Sequence, residues 1–147
     1  MTTQVKDKLF YNGKEYWIKT DPLDSLFELM GDEKPVFVAK YSDWERGYAG
    51  TWEIENDRLY LIDFKGHTTN FKEVSLDFLF PTSKKVFAGW FTGEIKIPQG
   101  KELWGAIISI REKDWCLEFK NGVLVNSRIE VNKNFSLNPR WIDLPET

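Results

Sequence analysis

The chain has 147 residues, a formal net charge of −3 and a single cysteine. That length gives one domain able to bury a core unaided. The lone Cys116 excludes an internal disulfide and fits a reducing compartment, and one His beside one Cys excludes the common zinc sites.

Residues 1–80 carry ten basic against fifteen acidic side chains, and residues 81–147 carry ten against eight. The first half therefore lacks the basic footprint of a nucleic-acid binder and suits a basic protein partner. No apolar run reaches the length of a membrane span, and residues 1–8 lack the apolar core of a signal peptide. A cytoplasmic protein without membrane contact is expected.

Leu9-Phe10-Tyr11, Asn12-Gly13 and Glu15-Tyr16-Trp17-Ile18 read as a hairpin, because Asn-Gly supplies the positive φ angles of a two-residue turn. Thr20-Asp21-Pro22 reads as a helix start with a capping side chain. Leu23, Leu26, Phe27 and Met30 then form one helical face, and Gly31 closes the helix, giving one short helix over about 22–30. Residues 35–41 read as a short apolar strand. Residues 46–55 read as a strand with Arg46, Tyr48, Gly50, Trp52 and Ile54 on one face. After the turn at Asn56-Asp57, residues 58–65 read as a strand that is apolar on both faces except at Asp63, in the middle of a sheet and covered on both sides. Residues 71–80 read as a strand ending at Pro81.

Residues 86–104 read as the organising hairpin, with a tight turn at Pro98-Gln99-Gly100. Period-two counting puts Phe91, Ile95 and Ile97 on one face, and Trp90, Thr92, Glu94 and Lys96 on the other. Residues 106–111 read as an apolar strand. Residues 115–120, Asn121-Gly122 and 123–125 form the clearest hairpin, continued over 128–131. The tail over 134–147 drapes over the body, with Trp141 and Ile142 as its anchor. Short strands separated by turn signals give a mainly β domain, an antiparallel sandwich or barrel with one short N-terminal helix.

Several constellations carry chemistry. A nucleophile–base pair would need His67 beside Cys116, but a thiol in a strand next to Trp115 fits a buried, inert cysteine. Glu94 beside Trp90, with Glu53 or Asp63 as a distant partner, is the pairing that could run glycoside chemistry. Asp43, Glu45, Glu53, Glu55 and Asp57 lack the alternating pattern of a calcium loop. Gly47 and Gly50 lie within a strand, so they make no phosphate loop. Arg46 with Tyr48 and Trp52 combines a guanidinium and rings, the residue types enriched at interface hot spots.

The runs Arg46-Gly47-Tyr48, Trp52-Glu53-Ile54, Leu59-Tyr60-Leu61, Trp90-Phe91-Thr92-Gly93-Glu94-Ile95 and Ile97-Pro98-Gln99-Gly100 resemble a group of small uncharacterised bacterial single-domain proteins over residues 46–104. The resemblance implies a bacterial origin and one domain, and carries no activity and no functional residue. The sequence reading favours a non-enzymatic binding protein without cofactor or metal, immunity- or inhibitor-like in its concrete form. Its protein partner would be met by Arg46, Tyr48, Trp90 and Glu94. The alternative is a small-molecule or carbohydrate-binding β domain, with or without hydrolytic activity. A third reading is an exposed strand edge used for self-association.

Overall fold

A computed structural model describes residues 5–44, 46–102 and 111–131. Glu45, Trp104, the expected strand over 106–111 apart from Arg111, and the tail with Trp141 and Ile142 lie outside the described residues.

The first hairpin forms as read: β1 (Asp7–Tyr11) pairs antiparallel with β2 (Lys14–Ile18) across Asn12-Gly13, both at positive φ. The helix α1 (Pro22–Met30) follows, with Leu23 and Phe27 buried and Met30 exposed at its end. A 3-10 turn, Gly31–Glu33, extends it. The cap differs from the sequence reading. Asp21 stands at the N-cap position without a side-chain capping bond, because its carboxylate is engaged elsewhere.

Two strands meet at Asn56-Asp57, again with both residues at positive φ: β3 (Tyr48–Glu55) and β4 (Arg58–His67). On β3, Gly50, Trp52 and Ile54 are buried in alternation, as the period-two reading requires. β4 occupies the middle of the sheet, but it is not covered on both sides: Leu59, Leu61 and Phe64 are buried, whereas Tyr60 and Ile62 are half-buried and Asp63 and Lys65 exposed. One edge pairs with β3 and the other is shared in succession by β9 (Val123–Val131), β6 (Val86–Phe87) and β5 (Glu73–Ser75). Strands β7 (Gly93–Glu102) and β8 (Arg111–Lys120) complete an antiparallel strip with β9.

The nine strands form one mainly antiparallel sheet in the order β2-β1-β3-β4-β9-β8-β7, with β5 and β6 attached to β4. One pair corrects the all-antiparallel expectation: β1 runs parallel to β3. The sheet curls until its ends meet, where Lys19 N–H donates to the Lys96 carbonyl at 3.1 Å and the Thr20 hydroxyl donates to the Glu94 carbonyl. These contacts do not make a ladder, so the fold is sandwich-like rather than a closed barrel. Leu9, Ile18, Trp52, Leu59, Leu61, Ile95, Ile97, Leu117 and Phe119 fill the enclosed side, each fully or almost fully buried. A fully buried aliphatic or Phe side chain contributes about 1.5–3 kcal/mol, so this layer is the main driving force.

Three segments depart from the sequence reading. Pro98-Gln99-Gly100 is not a turn: β7 runs through it as a terminal strand, and the register shifts between Gln99 and Glu102. Proline is tolerated at such an edge or bulge because no ladder bond needs its missing N–H. Residues 35–41 form no strand. Both lanes beside the end of β4 are taken, since Gly66 pairs with Tyr48 on one side and Val74 on the other. The segment instead crosses the face, where Phe37 packs on Phe27, Tyr48 and Phe64 and Val38 N–H reaches the His67 carbonyl. Residues 71–80 divide into the short β5 and a one-turn helix, α2 (Leu76–Leu79), which explains their lack of a single period.

Candidate binding site at the Arg46 ion cluster

Asp7 opens β1 with its side chain on the enclosed side, and the residue is 1% exposed. A carboxylate there needs donors, because an unpaired buried charge is costly. Three arrive from the start of β3 and the segment before it. The Arg46 guanidinium donates at 2.8 Å and Gly50 N–H at 3.0 Å to one oxygen, and the Trp52 indole N–H donates at 2.8 Å to the other. The parallel β1–β3 register, Leu9 opposite Trp52, makes this possible.

Arg46 turns its other terminal nitrogen to Asp21, at 2.9 Å, and the Tyr48 hydroxyl donates to the same Asp21 oxygen at 2.6 Å. The guanidinium carbon stands 4.7 Å from the Tyr48 ring centre, the distance of a cation–π contact. One forked cation thus joins β1, β3 and the start of α1, a use that lysine could not reproduce. Burial pushes the Asp7 carboxyl above its usual range despite the opposing pull of Arg46. Burial works against the Arg46 charge, yet Asp7 and Asp21 outweigh it and raise its pKa. Burial and the bond to Asp21 raise Tyr48, so it stays a neutral donor.

A hollow of about 120 Å³ opens beside this cluster, bordered by Lys6, Asp7, Lys19, Thr20, Asp21 and Arg46. The second Asp21 oxygen is buried and has no hydrogen-bond partner among the described residues. A buried acceptor without a donor is uncommon; Asp21 borders the hollow, but this oxygen is covered and not open to it.

The four sequence candidates separate into three places. Arg46 and Tyr48 share the cluster. Trp90 does not share a face with Glu94, because β7 begins only at Gly93 and Trp90 lies in the turn before it. Its indole N–H donates to the Pro22 carbonyl at 2.9 Å, and its ring stacks on Phe80 and meets Trp52 edge-on. Trp90 therefore fastens α1 to the sheet. Trp90→Phe keeps most of the ring packing but loses that bond, and should lower stability by about 1 kcal/mol in urea unfolding.

Glu94 lies on the outer face of the β7–β9 strip, paired with Arg128. Arg128 also reaches Glu130 at 3.3 Å, and Lys96 lies 3.6 Å from Glu130. The Arg128 bond holds the Glu94 carboxyl below its usual range. Cys116, cross-strand from both Lys96 and Arg128, is fully buried, and burial raises its thiol pKa.

The catalytic constellations are not assembled. His67 ends β4 against β5, with its ring edge-on to Tyr41 and Trp44, while Cys116 lies mid-β8 between β7 and β9. Glu53 pairs with Lys85 at 3.2 Å, and Asp63 accepts the Phe64 N–H, so neither is turned to Glu94. No group of three or more metal-ligating side chains occurs among the described residues. No helix among them is long and apolar enough to cross a membrane.

Sequence reasoning missed Asp7 and Asp21. Asp7 carried a weak signal, as a charge at an enclosed position of a strand whose Leu9 is also enclosed. Asp21 was hidden by its place before proline, which matches a capping residue equally well. No family model, no curated protein and no solved structure matches this chain.

Proposed function

We propose that the chain is a non-enzymatic binding protein acting on a protein partner, in the manner of an immunity or inhibitor protein of the bacterial cytoplasm. One observation carries the reading: an exposed aromatic held in a strained backbone at the end of β4. Phe71 has φ +60° and is 53% exposed, in a turn closed by its own N–H to the Thr68 carbonyl. A bulky residue in the left-handed region costs about 1–2 kcal/mol, and such strain gathers where function requires it. Tyr41, Val36 and Phe78 are also exposed, on segments that pack near the end of β4. Tyr41 contacts His67, Phe78 packs on Phe37, and Val38 bonds to His67. The acidic balance of residues 1–80 favours a basic partner.

The test is Phe71→Gly. Glycine relieves the strain, so stability should hold or rise by up to about 1 kcal/mol. Partner capture from a lysate of the host should fall by tenfold or more. A protein retained equally by wild type and variant would overturn the reading. The alternative, a small ligand in the hollow, draws on the charged and hydroxyl side chains that border it, Lys6, Lys19, Thr20 and Asp21. Thermal shift with sugars, polyols and small amines tests it, and loss of the response in Asp21→Asn would locate it.

A further inference from the structure

The β7–β9 strip extends past the rest of the sheet. β9 meets β4 at Arg58–Val123, and Leu124 N–H bonds to the Asp57 carbonyl in the β3–β4 turn. Beyond that turn β4 has no residues left to offer, yet β9 continues to Val131 with β8 on its other side. From Val125 to Val131 the outward edge of β9 has no strand partner among the described residues. An open row of backbone donors and acceptors is a template for another strand. The side chains here are also exposed and apolar in part: Val125 at 56%, Ile129 at 55% and Val131 at 66%.

We infer that this edge pairs antiparallel with the same edge of a second copy of the chain, about a two-fold axis at Ile129. The charge pattern selects the register. With the axis at Ile129, Arg128 of each copy lies opposite Glu130 of the other, and Ser127 lies opposite Val131. With the axis one residue earlier, Arg128 would face Arg128, and like charges directly opposite are destabilising. Cross-strand register places Arg128 beside Cys116 and Glu130 beside Asp114, so both charges belong to the outer face. Their side chains are 43% and 44% exposed, which leaves room for a second ion partner. Ile129 and Val131 belong to the opposite face, cross-strand from Trp115 and Lys113, where pairing would join two exposed apolar strips. A self-complementary patch of this kind is what a closed two-fold dimer requires.

Sedimentation equilibrium on the full chain gives the first test. Wild type should show a mass near twice 17.3 kDa at about 100 μM, and Ile129→Lys should return it to one chain. Ile129→Cys gives the second. Residues facing each other across a two-fold in an antiparallel pair have Cα atoms about 4.5–5.5 Å apart, within disulfide reach. Ile129→Cys should therefore cross-link in mild oxidant, whereas two copies of Ser127→Cys would lie about 13 Å apart along the strands and should not. The buried Cys116 serves as the internal control, since wild type should not cross-link. A monomeric mass for wild type, as expected if residues 132–147 or nothing covers this edge, would overturn the inference. So would cross-linking of Ser127→Cys equal to that of Ile129→Cys.

Discussion

Asp7→Ala should lower the stability of the domain by about 2–6 kcal/mol, because two buried donors lose their acceptor at about 1–3 kcal/mol each. The Arg46 guanidinium, the Gly50 N–H and the Trp52 indole N–H would all lose their acceptor, and two of the three are buried. Urea unfolding followed by tryptophan fluorescence would read this as a lower midpoint at an unchanged slope. A loss below 1 kcal/mol would mean that the cluster is not a tie between strands.

Arg46→Met isolates the charge and gives a pH signature. Asp7 in the native fold already titrates above its ordinary range because it is buried. An acid raised in this way contributes stability that is fully present below the unfolded pKa and is lost as pH rises through the folded value. Removing Arg46 removes the main opposing influence, so Asp7 rises further. The deficit of Arg46→Met should therefore be larger at pH 7 than at pH 4. A deficit independent of pH would show that Arg46 acts by packing on Tyr48 rather than by charge.

Gly47→Ala is the second large effect, at about 2–5 kcal/mol. Gly47 has φ +81°, and a Cβ there would stand 2.7 Å from both the amide nitrogen and the carbonyl oxygen of Val38. The left-handed conformation costs an alanine about 1–2 kcal/mol, and forced expansion of a packed site adds about 1–3 kcal/mol. The contacting atoms are backbone and cannot swing aside. The loop carrying Phe37 and Val38 must move, which would also disturb the neighbouring Arg46 and the His67–Gly47 hydrogen bond. Calorimetry would show the fall in Tm, and a change under 1 kcal/mol would mean that the loop yields freely.

The sequence revealed what is local. Asn12-Gly13, Asn56-Asp57 and Asn121-Gly122 each specify a tight turn through their own backbone preferences, and all three occur with both residues at positive φ. Alternation found the enclosed residues of β3, and helical spacing found Leu23 and Phe27. What stayed hidden is set by distant partners. Residues 35–41 have the composition of a strand, but strands β3 and β5 already hold the lanes they would need. Pro98-Gln99-Gly100 has the composition of a turn, but it occupies a terminal strand where proline is tolerated. Arg46 and Tyr48 were read as one face of a strand, whereas the acids that complete their cluster come from β1 and the start of α1. No spacing rule links Asp7 to Arg46, since a parallel pairing across the intervening β2 and α1 brings them together.

That parallel pairing has a consequence for the order of events in folding. The β8–β9 hairpin closes across two residues, and hairpins form in about 1–10 μs. The β1–β3 pair must first gather the whole of β2, α1 and the loop to Tyr48, and non-local strand pairing is intrinsically slow. The Asp7–Arg46 bond, 39 residues apart in sequence, belongs to that late step. Interactions absent from the transition state govern the rate of unfolding rather than of folding. The buried ion pair is thus a latch on the finished fold, whose strength decides how long a folded molecule lasts more than how quickly it arises.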